Sequence, residues 1–262
     1  MNSFTFGQYI PGNSFVHSLD SRTKLYLVVV SMAAVLGANT LLGVVITTLF
    51  TGLFILSSSI SVRTYWHGMR PLIIVVAIAA AFQIFFVPGE VIYRWWIFSV
   101  SDAGAKMGAL MTYRLIMVFV LAELLTFTTS PLQLTDGLER ILRPLNKLGV
   151  PAHELAMIMT IALRFIPVFF EEADKITMAQ ISRGADFSGG WVKKTRNLVA
   201  IIVPLFVRAF RRADELALAM ESRCYTGGEG RTRLHEAIMS PADYGVIAVT
   251  TGMVLAIILS GV

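Results

Sequence analysis

Two arginines forty residues apart, Arg183 and Arg223, stand in matching surroundings. Each follows a serine and lies nine residues after an aspartate (Asp174 and Asp214), and Phe170/Phe210, Ala173/Ala213 and Ala179/Ala219 complete the match. A guanidinium keeps its charge and can meet a carboxylate with two parallel hydrogen bonds, which suits it to insertion into a groove of another protein. Basic residues also finish helices simply because the helix dipole favours them there. The dipole alone, however, requires neither the upstream aspartate nor the preceding serine. The repeat therefore points to a duplicated socket on a partner. Ser182, Arg183 and Gly184 form one candidate partner-binding tip, and Ser222, Arg223 and Cys224 the other.

Other chemistry is sparse. No GxxxxGK[ST] phosphate loop is present, and Gly227-Gly228-Glu229-Gly230-Arg231 has neither its spacing nor its lysine. His17, His67, His153 and His235 are far apart, no HExxH occurs, and no serine sits in a GxSxG turn. The single cysteine, Cys224, excludes intramolecular disulfides and a thiolate metal cluster. No catalytic residue, cofactor or metal site is expected. If the chain serves uphill movement, another subunit must hydrolyse the nucleotide. Arg114 and Glu123 are the charged pair at membrane depth. Nine residues apart, they point to opposite faces of one helix, about 180° apart, and should not pair with each other. Charge there costs at least about 2.5 kcal/mol, which makes each either a functional group or one that meets a polar helix face.

The elements that must position these groups follow from composition. Hydrophobic residues make up 55% of the 262, and only 15% are charged. An ordinary soluble domain carries about 25% charged residues, so this is a multi-span membrane protein. The isoelectric point near 9.5 could suggest nucleic acid. The placement of the basic residues fits membrane topology better, and no nucleic-acid partner is expected. Met1–Asp20 lacks the basic start, short apolar core and cleavage site of a signal peptide, and reads as a turn-rich loop.

Leu25 to Ile60 carries no charge over 36 residues. As one helix it would run about 54 Å against a hydrocarbon core of about 30 Å, so it must break, at Gly37-Ala38-Asn39-Thr40. The first span begins near Leu19, with Arg22 and Lys24 snorkelling to the headgroups. After a polar loop with Arg63, His67 and Arg70, a third span runs from about Pro71 to Val87. Tyr93, Trp95 and Trp96 read as an interfacial aromatic belt. The fourth span covers about Ala105 to Thr128, and the fifth Tyr244 to Leu259. With the N-terminus inside, 19 of the 22 Lys and Arg fall on the inner side, which sets the orientation as N-in and C-out. The expected fold is all-α. Residues 1–129 form the N-terminal transmembrane helices, 130–241 the cytoplasmic amphipathic and coupling helices, and 242–262 a C-terminal transmembrane helix.

Within the cytoplasmic region, Ser130-Pro131 reads as an N-cap and first helical residue. Leu134, Leu138, Ile141, Leu142, Leu145 and Leu148 then recur at helical spacing; Pro144 should kink or split this helix, and Gly149 and Pro151 end it. This amphipathic helix would lie along the membrane or a neighbouring helix. Two long segments follow, about Ala152 to Arg183 and Leu198 to Arg223, the second capped by Asn197. Each starts apolar and becomes charged toward its tip. Ala209, Ala213 and Ala217, at four-residue spacing, would let another helix approach closely.

Gly7-Gln8-Tyr9-Ile10-Pro11-Gly12, Leu19-Asp20-Ser21-Arg22-Thr23-Lys24-Leu25 and the paired Ser-Arg-Gly and Ser-Arg-Cys motifs resemble the transmembrane T component of energy-coupling factor (ECF) transporters. Ser21 stands where that pattern often has proline. The resemblance spans essentially the whole chain. It implies a non-catalytic membrane scaffold of an ABC-type importer. Its coupling helices would place Arg183 and Arg223 in grooves of two ATP-binding-cassette ATPases. Other helices would hold a small substrate-binding membrane subunit for a vitamin or metal ion. Two alternatives stand beside it. One is a membrane enzyme acting on lipid through Arg114, Glu123 and His67. The other is a conventional permease with its own substrate path.

Overall fold

The structure is a computed structural model. It describes residues 9–88, 91–95, 98–144, 149, 151–185, 190–227 and 239–259. The chain forms two units, Met1–Gly137 with Glu236–Val262, and Leu138–His235.

The first unit contains α1 (Phe15–Ser18), α2 (Ser21–Gly37), α3 (Leu41–Ser57), α4 (Val62–Phe86), α5 (Asp102–Thr128) and α9 (Pro241–Leu259). It also holds the beginning of α6 (Pro131–Leu142). The break anticipated at residues 37–40 is present: Ala38 closes α2, and the Thr40 hydroxyl caps α3 by accepting from the Gly43 N–H. α4 lies along α5, α2 packs on α5 and α9, and α3 touches all three of α2, α5 and α9. Residues Gly104 and Gly108 permit the α4–α5 approach. A methyl group at Gly104 would stand 2.9 Å from the Ile84 carbonyl oxygen.

This unit buries hydroxylated side chains among an apolar core and turns large apolar side chains outward as well. Among its most deeply buried side chains are Thr23, Ser31, Thr47, Thr51, Thr128 and Thr250, beside Val35, Leu121 and Leu124. Leu41, Leu49, Leu56, Ile74, Phe82 and Phe86 face outward. Hydrocarbon outside removes any reason to hide leucine, and small or hydroxylated residues let helices pack closely. Thr47, Thr128 and Thr250 donate to the carbonyls of Gly43, Leu124 and Val246 one turn back, which partners these three hydroxyls. Helices α4, α5, α7 (Ala152–Ser182) and α9 are each long and apolar enough to cross a membrane, and α3 is a shorter apolar helix. α7 is among these although the charge pattern assigns it to the cytoplasmic region.

Four details depart from the sequence reading. Lys24 does not snorkel; it is 3% exposed, and its Nζ donates to the carbonyls of His17 (3.0 Å) and Thr128 (2.9 Å). The Asp20 carboxylate caps α2 and pairs with Arg22, while the Asp20 N–H donates to Asp243 Oδ1 at the start of α9. Buried acceptors thus hold the ammonium where a headgroup was expected to. Second, Arg63, His67 and Arg70 belong to α4, because Pro71 is accommodated inside the helix rather than starting it. Third, a two-stranded antiparallel hairpin, β1 (Val91–Trp95) with β2 (Phe98–Ser101), occupies the segment read as an aromatic belt; Trp96 lies outside the described residues. Fourth, α8 (Trp191–Glu221) has its N-cap at Gly190 rather than at Asn197, since nothing in Trp191–Arg196 forbids helix.

The second unit holds the end of α6, then α7 and α8. The α6 start is a capping box, in which the Ser130 hydroxyl accepts from the Gln133 N–H and the Gln133 side chain accepts from the Ser130 N–H. α6 ends at Leu142, short of Pro144; Leu145 and Leu148 lie outside the described residues.

Candidate functional site

α7 and α8 run antiparallel, as their partnerships show. Tyr225, just past α8, meets Met157 in the second turn of α7, and Arg208 forms an ion pair with Glu172. Glu172 is buried and Arg208 exposed, so the guanidinium covers a carboxylate that would otherwise lack a partner. The pairs Glu171/Lys175 and Arg211/Glu215, at helical spacing, form no salt bridge among the described residues.

Both arginine tips end their helices in the same way. At the first, the Gly184 N–H donates to Ile181 O and the Ala185 N–H to Gln180 O, each at 2.9 Å. At the second, the Cys224 N–H donates to Glu221 O at 2.9 Å and the Tyr225 N–H to Met220 O at 3.1 Å. These are two Schellman motifs in matched register, with Gly184 (φ +86°) and Cys224 (φ +55°) in the left-handed position. Arg183 and Arg223 occupy the last residue before it, and with Ser182 and Ser222 they are exposed. The serine hydroxyls turn inward to their own helices, Ser182 to Met178 O and Ser222 to Ala219 O, leaving the guanidiniums as the outward chemistry.

Antiparallel packing sends the tips in opposite directions. Arg183 lies 26 residues beyond Met157 on α7. At 1.5 Å per residue the tips are separated by up to about 39 Å along the pair. One small socket cannot take both.

Between the helices runs an open apolar groove of about 480 Å³. Ala209, Ala213 and Ala217 line it from α8 with Phe206 and Phe210, and Ile161, Phe165 and Phe169 line it from α7. Among the described residues, the alanine face is thus not filled by a helix of this unit.

The intramembrane charges go elsewhere. Arg114 donates to Ala38 O (3.2 Å) and Asn39 Oδ1 (2.9 Å), satisfying the C-terminal end of α2. Its depth is explained by the shortness of α2 and α3, 17 residues each, beside the 27 of α5. Glu123 packs on Gly68 of α4, where an added Cβ would meet its Oε1. His67 Nδ1 pairs with its own helix at Arg63 O. Arg114 and Glu123 therefore serve different neighbours and do not assemble into one site. The residues that the sequence did not single out are Glu172, Arg208 and Tyr225, whose partners are remote in the chain.

A family model described as a cobalt transport protein, CbiQ, matches residues 12–234. The chain belongs to the CbiQ family. Among curated relatives of this CbiQ-family chain, the energy-coupling factor transporter transmembrane protein EcfT of Thermosediminibacter oceani is 46% identical over 261 residues, covering 99% of this chain and 98% of the relative. The EcfT of Ruminiclostridium cellulolyticum is 44% identical over 260 residues (99% and 97%), and that of Bacillus subtilis 41% over 249 residues (94% of each).

Proposed function

We propose that this chain is the transmembrane scaffold of an energy-coupling factor importer. It would sit in the cytoplasmic membrane with its N-terminus inside and its C-terminus outside. Arg183 and Arg223 would each enter a groove of an ATP-binding-cassette ATPase, and a small membrane subunit would bring the vitamin or metal ion. The observation that carries this reading is the pair of identical helix endings at opposite ends of an antiparallel pair. Each presents one exposed arginine, at a separation suited to two partner molecules. The apolar groove, with its small-residue wall, supports an apolar helix of the substrate-binding subunit as its occupant. Closure of the ATPase pair on ATP would draw the tips together and change the groove between them. Substrate would then pass inward with the second subunit rather than through this chain.

Charge reversal tests this. Arg183→Glu with Arg223→Glu in the assembled transporter should abolish ATP-dependent uptake while the chain still inserts in the membrane. A cap-level loss of about 1 kcal/mol cannot account for complete uncoupling. Normal uptake by the double variant would sink the reading.

A further inference from the structure

The two tips share a backbone ending but not a tether. Tyr225, the residue after Cys224, uses its N–H to close the Schellman motif on Met220 O. Its hydroxyl lies 3.3 Å from His153 Nε2 and 3.0 Å from Met157 Sδ, both in the opening turns of α7. His153 Nδ1 lies in turn 3.2 Å from Glu139 Oε1 on α6. A carboxylate can only accept, so Nδ1 carries the hydrogen toward Glu139. The tyrosine hydroxyl donates its one hydrogen to Met157 Sδ, with His153 Nε2 beside it as a second polar partner. The polar contacts run from Tyr225 to His153 to Glu139. They join the second tip to two other helices of its unit. At the matching place after Gly184 stands Ala185, whose methyl can make no such bond.

We infer that Glu139, His153 and Tyr225 form a hydrogen-bonded tether that positions Arg223, with no counterpart at the residue matching Tyr225 beside Arg183. All three are positioning residues, since none is itself the contacting arginine. The inference rests on the proposed docking of Arg223 for its meaning, but not for its test. With the tether, Arg223 is presented at a fixed place before its partner arrives. At the other end of α7, Ala185 offers Arg183 no such side-chain bond. A pull on the second tip is passed through side chains to α6 and the base of α7, whereas a pull on the first travels along α7 itself.

Cys224 is the only cysteine in the chain and is exposed, so a nitroxide can be attached beside Arg223 without another substitution. The full chain, labelled there and held in lipid nanodiscs, is read by continuous-wave spin resonance. Tyr225→Phe, which removes one hydroxyl, should raise the mobile fraction of the label about threefold to tenfold, the range for loss of one hydrogen bond. His153→Ala, which leaves the Met157 contact in place, should raise it less, and the Tyr225→Phe/His153→Ala double variant no more than Tyr225→Phe alone. Glu139→Gln, which keeps an acceptor oxygen, should largely retain the tether. A label at Ala185→Cys, in a Cys224→Ser background, should be mobile from the start and indifferent to Tyr225→Phe. An unchanged Cys224 signal in both Tyr225→Phe and His153→Ala, or equal changes at both tips, would overturn the inference. Because no ATPase is present, such a result would leave the charge-reversal experiment to judge the docking itself.

Discussion

The first tip meets the conformational demand of its ending with glycine, and the second with cysteine. Gly184 adopts φ +86° freely, whereas Cys224 at φ +55° carries the left-handed strain of a side-chain-bearing residue, about 1–2 kcal/mol. The second tip also has the tyrosine–histidine–glutamate connection that the first lacks at its matching position. Sameness of the backbone and difference of the support teach that the tips are alike in what they present. They differ in how firmly each is held. This fits two partners that are handled unequally, whether or not those partners are identical.

The largest effect that could break the comparison is loss of either arginine. Arg183→Glu and Arg223→Glu singly should each reduce ATP-dependent uptake severely, measured in proteoliposomes with the partner subunits. If one single variant transports normally, the tips are not equivalent plugs. Next in size is the α7–α8 join. Arg208→Ala leaves the buried Glu172 carboxylate without its partner and should destabilise the second unit by about 1–3 kcal/mol, read by thermal unfolding in detergent. Arg208→Ala with Glu172→Gln should recover part of that loss, because the uncompensated charge is gone. The smallest effects separate the endings themselves. Gly184→Ala should cost about 1 kcal/mol, whereas Cys224→Gly should be neutral or gain a similar amount. Equal signs for the two substitutions would contradict the left-handed assignment at one tip.

The third, fourth and fifth spans, the break at residues 37–40 and the helix cap at Ser130 were legible because each is local. An uninterrupted apolar run has to be folded back when it exceeds the bilayer, and a serine before proline has few other uses. The twin tips were legible as a repeat in sequence. Their shared Schellman geometry was not, because cysteine gives no signal for a left-handed residue. Lys24 looked like a snorkelling lysine, since the acceptors that bury it, the carbonyls of His17 and Thr128, have no side-chain signature. Glu172–Arg208 and Tyr225–His153 join residues 36 and 72 apart. Such pairs depend on helix register, which only the packed structure supplies. The start of α8 was misplaced for a related reason. Asn197 is a good cap, but a good cap is also tolerated inside a helix when the preceding residues have no better conformation.

The central claim is contact between each arginine tip and an ATPase, and photo-crosslinking in native membranes tests it most directly. A photoreactive residue replaces Ser182 in one variant and Ser222 in another, leaving both arginines in place, with Leu255 of α9 as the outward-facing control. The account predicts that positions 182 and 222 each capture an ATP-binding-cassette ATPase and that position 255 captures none. Failure of both tips to capture an ATPase that co-purifies with the chain would contradict it.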